Sequence, residues 1–464
     1  MADVLPFAGT RYAHKDADFS LGDVLAPPYD EIDPAKQKDL HERSPFNIVR
    51  LLAGHETASD DDASNRYVRA AECYRAWKAE GVLSDEQRKC FYVYEQTFHA
   101  EDREGPQTRL GFFALVKLQD FRSGKVRSMK LTHESPKKDR LKLLRAIEVN
   151  LSPLHMLYSD PDAEVKSVLN EAMKKREPIE DFTTEDGTRH RLWMVYKKDP
   201  VLRIHDFMKP RRLYIADGHH RYETALKYRD MKREETGRRD GRQPYDFVLM
   251  FLQRAEDEDL ISYSDNLILS REVAADADID IVVEDLEEYF EMEEFKLNMK
   301  ELAKAAEQVK KMLDPAAGKG GRKKKTGPTE QPRFVMALPN GRSWQLTLRE
   351  DANLEEMIDD EMMTDDFKKT APVLLHKFII SRGWIGNPEV ELQEDDVLYS
   401  RTILGSLDLI KRRKGCAAFF SNPMSKESVI QTAENGELLP FNSVSFTPKV
   451  PAGLVLRDLN VGFG

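Results

Sequence analysis

An α+β protein with a central mixed sheet and an additional α/β lobe is the fold class this sequence predicts, on three observations. Apolar runs of strand length recur through the first 270 residues. Amphipathic helical stripes separate several of them. One run, 213–216, ends abruptly in Asp217, Gly218, His219, His220 and Arg221, after which Tyr222, Ala225 and Leu226 start a helical stripe.

The composition bounds what the chain can be. Its 464 residues exceed one ordinary core, and about 100–200 residues per domain suggests two to four domains. A net charge of −11 disfavours a broad nucleic-acid surface. Cys73, Cys90 and Cys416 are odd in number and widely spaced, which fits a reducing cytoplasm better than a disulfide framework or a cysteine zinc site. No basic segment followed by an apolar one opens the chain, and no run of about 18 apolar residues occurs, so neither secretion nor a membrane span is expected.

The elements follow in order. Residues 1–60 are rich in turn signals. Ala70, Cys73, Tyr74 and Trp77 hold helical spacing, with Gly81 placed to end the helix. Runs 91–98 and 110–118 flank a charged Gly-Pro segment and read as a long hairpin. Ser135 as cap and Pro136 at the first position predict a helix whose buried side is Leu141, Leu144 and Ile147. A polar helix, the strand-like 191–196 and a buried strand at 247–252 surround the Asp217 motif. Leu286, Tyr289, Phe290 and Phe295 hold helical spacing within an acidic stretch, so a helix with a solvated acidic face is expected there. Runs 334–338 and 344–348 flank an Asn340-Gly341 turn. A helix at 372–382 and a final strand near 450–456 close the chain.

Two regions result: 1–270, carrying the motif, and 271–464, a second α+β lobe whose closing segment packs back on the first. The Gly-, Pro- and Lys-rich stretch 315–332 predicts a disordered basic insertion in that lobe.

Chemistry is expected first at Asp217, Gly218, His219, His220 and Arg221. A strand-to-helix junction presents unpaired N–H groups and the positive end of a helix dipole, which suit a phosphate or carboxylate. Adjacent His219 and His220 diverge by about 100° around a helix axis, so they take different tasks. The alternative is a capped structural turn. A second cluster sets His133 and Glu134 at a helix start, with Arg140 and Arg145 able to grip anionic oxygens; here the alternative is a solvated amphipathic helix. A third, Pro27-Pro28-Tyr29-Asp30, is a stiff turn that either holds a ligand or joins elements. Near the end, the hydroxyl-rich 440–449, with Ser443 and Lys449, either closes over a ligand or forms an edge strand. Walker-type, dinucleotide-binding and hydrolase-elbow motifs are absent.

Pro-Pro-Tyr-Asp at 27–30, His133-Glu134 with 139–145, Ala-Asp-Gly-His-His-Arg-Tyr-Glu-Thr-Ala at 216–225, and the late Ser443, Phe446, Pro448-Lys449 and Gly453-Leu454-Val455 together resemble the bacterial and archaeal family labelled domain of unknown function 1015. That family carries no assigned activity. Asp-Gly-His-His-Arg at 217–221 is also similar to the signature of free serine kinases of the ParB/sulfiredoxin superfamily. This second resemblance implies a ParB/sulfiredoxin-like core and transfer of phosphate to free L-serine from ADP or ATP with Mg²⁺. Phosphoryl transfer needs positioning, charge neutralisation and a carboxylate for the accepting hydroxyl. On that basis Asp217 is expected to ligate Mg²⁺ and Glu134 or Asp30 to act as base, with Tyr29, Ser443 and Lys449 against the substrate. The expected partners are therefore a small-molecule substrate and a nucleotide, with neither membrane nor nucleic acid. Rival readings are a nucleotide-binding regulatory switch without turnover and a metal-dependent phosphoester hydrolase.

Overall fold

The computed structural model describes residues 3–13, 19–100, 103–174, 176–270, 278–314, 331–386 and 396–461, so the expected insertion lies outside the described residues up to residue 330. The chain divides into two compact units, one of residues 1–128, 132–260 and 448–464, the other of residues 129–131 and 261–447. It is a mixed α/β protein with a large central sheet and several smaller ones.

The first unit is built on nine strands: β1 (Val4–Leu5), β2 (Phe91–His99), β3 (Pro106–Lys117), β4 (Val126–Arg127), β5 (Leu154–Tyr158), β6 (Glu180–Thr183), β7 (Arg189–Val195), β8 (Leu213–Asp217) and β9 (Phe247–Arg254). Their order is β4-β8-β5-β9-β3-β2-β7-β6, with β1 also on β3. The β4–β8 and β5–β9 pairs are parallel and the others antiparallel, which makes the sheet mixed. Both faces are covered, which is why β8 and β9 read as nearly continuous apolar runs rather than alternating ones. On one face Tyr92, Tyr94, Phe113, Leu249 and Phe251 pack with Trp77 and with Val450, Leu454 and Val455 of the closing segment. On the other, Val93, Phe112, Met156, Ile215 and Met250 pack with Ile204, Tyr222 and Ala225.

The longest helices of this unit include α1 (Arg66–Ala79), α2 (Glu134–Ile147), α3 (Glu164–Met173), α4 (Lys198–Met208) and α5 (His219–Thr236). Asn65 caps α1 through the N–H groups of Tyr67 and Val68, and Gly81 follows with φ 76°. Helix α2 starts two residues earlier than Ser135-Pro136 suggests. His133 is its N-cap, and Pro136 sits in the first turn, where a missing N–H costs no intrahelical bond. Its buried stripe is Arg140, Leu143 and Ile147, while Leu141 and Leu144 are half-buried against Tyr228, Tyr245 and Leu459. The strand expected at 450–456 is replaced by single bridges, Ala26 to Ala452 and Thr10 to Leu456. The two-residue strand Arg457–Asp458 follows, paired with Val149–Asn150.

The second unit holds an antiparallel six-stranded sheet of β10 (Asn266–Leu269), β11 (Phe290–Lys296), β12 (Arg333–Ala337), β13 (Arg342–Leu348), β14 (Val397–Ser400) and β15 (Ala417–Ser421), in the order β11-β13-β12-β15-β10-β14. The Asn340-Gly341 turn joins β12 and β13 as expected, with φ 87° at Gly341. The acidic stretch departs from expectation: α6 (Ile279–Glu287) stops before Phe290, and 290–296 is the edge strand β11. A row of glutamates on an exposed edge discourages pairing with another chain, a task that helical periodicity cannot reveal. The helix expected at 372–382 is chiefly a π-helix, Leu374–Trp384. Within 440–449, Val444–Thr447 is a strand paired with Ile261–Ser264. Among the described residues no helix is long and apolar enough to cross a membrane.

Candidate functional site

The junction between β8 and α5 is shaped by two local devices. The register of β8 on β5 slips between Ile215 and Asp217, so that Asp217 lies opposite His155. Such a bulge re-aims the side chain that follows it. Gly218 then takes φ 91° and caps the 18-residue α5, and a Cβ there would come within 2.6 Å of Leu154 Cδ2 and 3.0 Å of Arg221 Nη2. Only glycine fits both the left-handed backbone and the space.

Arg221, one turn into α5, donates from Nη2 to Asp217 Oδ2 at 2.6 Å and from Nη1 to Ser152 Oγ and the Pro153 carbonyl, both at 2.7 Å. Lys449 Nζ donates to Asp217 Oδ1. The side chains of Arg221, Asp217 and Lys449 retain 12, 11 and 10% exposure, so the cluster is desolvated but not sealed. A recess of about 70 Å³ lined by Arg140, Leu143, Ser152, Leu154, Arg221 and Thr224 adjoins it.

This geometry bears on the expected metal role of Asp217. Both its oxygens already face cations, and among the described residues no three His, Cys, Asp or Glu side chains converge on a metal-sized space. Positive charge at the turn comes from Arg221 and Lys449.

The two histidines part company as expected. His219 is buried. His220 Nε2 accepts the backbone N–H of His133 at 2.9 Å, and the two imidazole rings lie nearly parallel. Burial, followed by the nearby His133, pushes His220 down to about 4. A neutral ring accepting through Nε2 ties the start of α5 to the start of α2 and has no proton on that nitrogen for an anion. Arg140 lies with its guanidinium 4.3 Å from the Tyr29 ring centre and donates to the Leu52 carbonyl at 2.8 Å. Burial, with Asp30 next, raises the Tyr29 phenol far above its ordinary value. Asp30 is exposed and acts electrostatically on both Tyr29 and His220, which sets it beside the junction.

Two expected residues of this unit are not brought there, and a third belongs to the other unit. Glu134 is exposed and pairs with Lys137 at 2.5 Å, which with its hydrogen bond lowers the carboxyl from its usual range. Arg145 is exposed in the last turn of α2, eleven residues beyond Glu134 and so roughly 16 Å along the helix axis. Ser443 belongs to the second unit, where its hydroxyl donates to the Pro440 carbonyl at 2.7 Å.

A set of groups that sequence reasoning missed lies across the sheet. Five adjacent strands, β8, β5, β9, β3 and β2, contribute Asp217, His155, Gln253, Arg109 and Gln96 to one face. His155 Nε2 and Gln253 Oε1 lie 2.9 Å apart, and Arg109 Nε donates to Gln96 Oε1 at 2.7 Å. Gln96 in turn donates to the Lys449 carbonyl at 3.3 Å. Arg109 Nη1, His155 Nδ1 and Gln253 Nε2 are buried with no hydrogen-bond partner. The available signal was a lone polar residue inside each otherwise apolar run, as in Phe-Val-Leu-Met-Phe-Leu-Gln at 247–253.

Comparison with known proteins adds a family. No curated protein matches. Among solved structures, a conserved hypothetical protein from Pyrococcus furiosus is 12% identical, with 76% of this chain and 97% of that one covered at a TM-score of 0.34. A free serine kinase in complex with AMP is 12% identical, with 74% and 92% covered at 0.33. A C-terminally truncated SbnI from Staphylococcus aureus is 9% identical, with 72% and 82% covered at 0.29. Overlaps at these scores carry no inference about this chain. A model of the family described as "Protein of unknown function (DUF1015)" matches residues 4–373, and the chain belongs to that family.

Proposed function

We propose that this protein is a small-molecule phosphotransferase whose nucleotide phosphates seat at the turn Asp217–Arg221. The observation that carries the reading is the glycine-capped start of α5 with Arg221 and Lys449 fixed on Asp217 beside it. Helix N–H groups and two held cations supply the charge neutralisation that a transferring phosphoryl group needs. The similarity of 217–221 to the free serine kinase signature supports ADP or ATP as donor, free L-serine as one acceptor to test, and a ParB/sulfiredoxin-like core. Asp217 acts here as a positioning residue, since its oxygens orient the two cations.

In the reaction the acceptor hydroxyl oxygen forms a bond to the terminal phosphorus while the bond from that phosphorus to the nucleotide's bridging oxygen breaks. The acceptor proton passes to Asp30, and the nucleotide leaves one phosphate shorter. Asp30 suits the base role better than Glu134, whose carboxylate is held by Lys137.

The test is ³¹P NMR of the full chain with ATP or ADP, MgCl₂ and a panel of small hydroxy compounds including L-serine. The expected result is a new phosphomonoester signal that disappears in Asp30→Asn and persists in Glu134→Gln. Absence of transfer to every acceptor, or loss in Glu134→Gln alone, would refute the assignment.

A further inference from the structure

The polar row beside Asp217 is not used by the reaction outlined above. Arg109, 1% exposed, forms no ion pair with any described residue; its bonds go to the neutral amide of Gln96, and its guanidinium lies 5.3 Å from the Phe251 ring centre. Burial lowers it to about 10. Water can satisfy an unpaired N–H, but it leaves the charge of a buried cation unbalanced, and an unbalanced buried charge is costly. Asp217 acts on Arg109 electrostatically, but its oxygens are bonded to Arg221 and Lys449, so positive charge is in excess and an anion is its complement.

The unpaired atoms specify which kind of anion. Arg109 Nη1 and Gln253 Nε2 are donors, matching the two oxygens of a carboxylate. His155 donates from Nε2 to Gln253 Oε1, and burial, with Arg109 next, lowers its ring to about 3, so the ring is neutral and Nδ1 accepts. It suits a hydroxyl or ammonium next to that carboxylate. His155 also stands opposite Asp217 in the β5–β8 register, so the acid's hydroxyl end falls at the phosphate turn. Lys449 bonds both ends of the row, Gln96 through its carbonyl and Asp217 through its ammonium, and so covers it.

We propose that Arg109, Gln253 and His155 form the seat for a small hydroxy or amino acid, with Arg109 and Gln253 on its carboxylate and His155 on the adjoining donor group. Its role as the acceptor seat rests on the phosphoryl-transfer reading, whereas carboxylate binding itself does not.

The experiment titrates the full chain with L-serine and glycerate against L-serinamide and glyceramide, which differ only in the carboxylate, by calorimetry. Acids should bind about tenfold or more tightly than their amides, the loss expected when a charge-assisted bond goes. Arg109→Met should weaken acid binding by a similar factor while leaving ADP affinity unchanged and thermal stability equal or higher, because it removes an unbalanced buried charge. Gln253→Glu, nearly the same shape, supplies the missing carboxylate from within and should abolish acid binding, which covers the case in which Arg109→Met does not fold. Equal affinity for acids and amides, or acid binding retained in Gln253→Glu, overturns the proposal. Acid binding without phosphate transfer would fail the function and keep the seat; transfer to alcohols with no preference for acids would fail the seat and keep the function.

Discussion

Asp217→Asn keeps the shape of the side chain and removes the one charge that Arg221 and Lys449 share. Hydrogen bonds to charged groups contribute about 1.5–3 kcal/mol each, and breaking a buried ion pair costs about 3–5 kcal/mol. The side chains here keep roughly a tenth of their exposure, so some solvent screening survives. The cost to the first unit should then be about 2–4 kcal/mol. A cycle with Lys449→Met sharpens the test. If the two residues are coupled through one carboxylate, Asp217→Asn should cost at least about 1 kcal/mol less in the Lys449→Met background than alone. Urea unfolding gives the global values, and amide exchange across β8 and the first turn of α5 separates the first unit's response from the second's. A single-variant cost under about 1 kcal/mol, or additivity within about 0.5 kcal/mol, would refute the clamp.

Gly218→Ala must accept a left-handed backbone and a Cβ 2.6 Å from Leu154 Cδ2, so a loss of about 2–4 kcal/mol and weaker nucleotide binding are expected, read by urea midpoint and calorimetry. His220 sits at about 4 in the folded chain against 6.5 when free, so the unfolded chain binds its proton first as pH falls. Its contribution is present above pH 6.5 and is lost on acidification toward pH 4. Stability should fall about 1–2 kcal/mol more between pH 7 and 5 than in His220→Gln, and equal falls would contradict the buried neutral ring. Arg145→Ala, at the far end of α2, should leave ADP affinity within about twofold of the parent, since it meets no phosphate there.

The sequence made the junction legible because its signals are local. An apolar run, a glycine that must adopt positive φ and a helical stripe fix one strand, one turn and one helix without reference to the rest of the chain. The start of α2 was misjudged because Ser135-Pro136 competes with a long-range bond, from the His133 N–H to His220, that outweighs the local cap signal. The strand at 290–296 hid for a related reason: Phe290 and Phe295 satisfy helical spacing, while pairing with β13 decides the outcome. The polar row was invisible as a group because it exists only once the β2–β3 hairpin and three strands from other parts of the chain take adjacent places in the sheet. Each member alone is one polar residue in an apolar run.

Hydrogen–deuterium exchange on the full chain, with and without ADP, tests most directly whether this turn is where nucleotide phosphates bind. Slowed exchange concentrated at the amides of residues 218–222, and lost in Arg221→Ala, is the result expected. ADP binding that leaves those amides unchanged while protecting another part of the chain would contradict it.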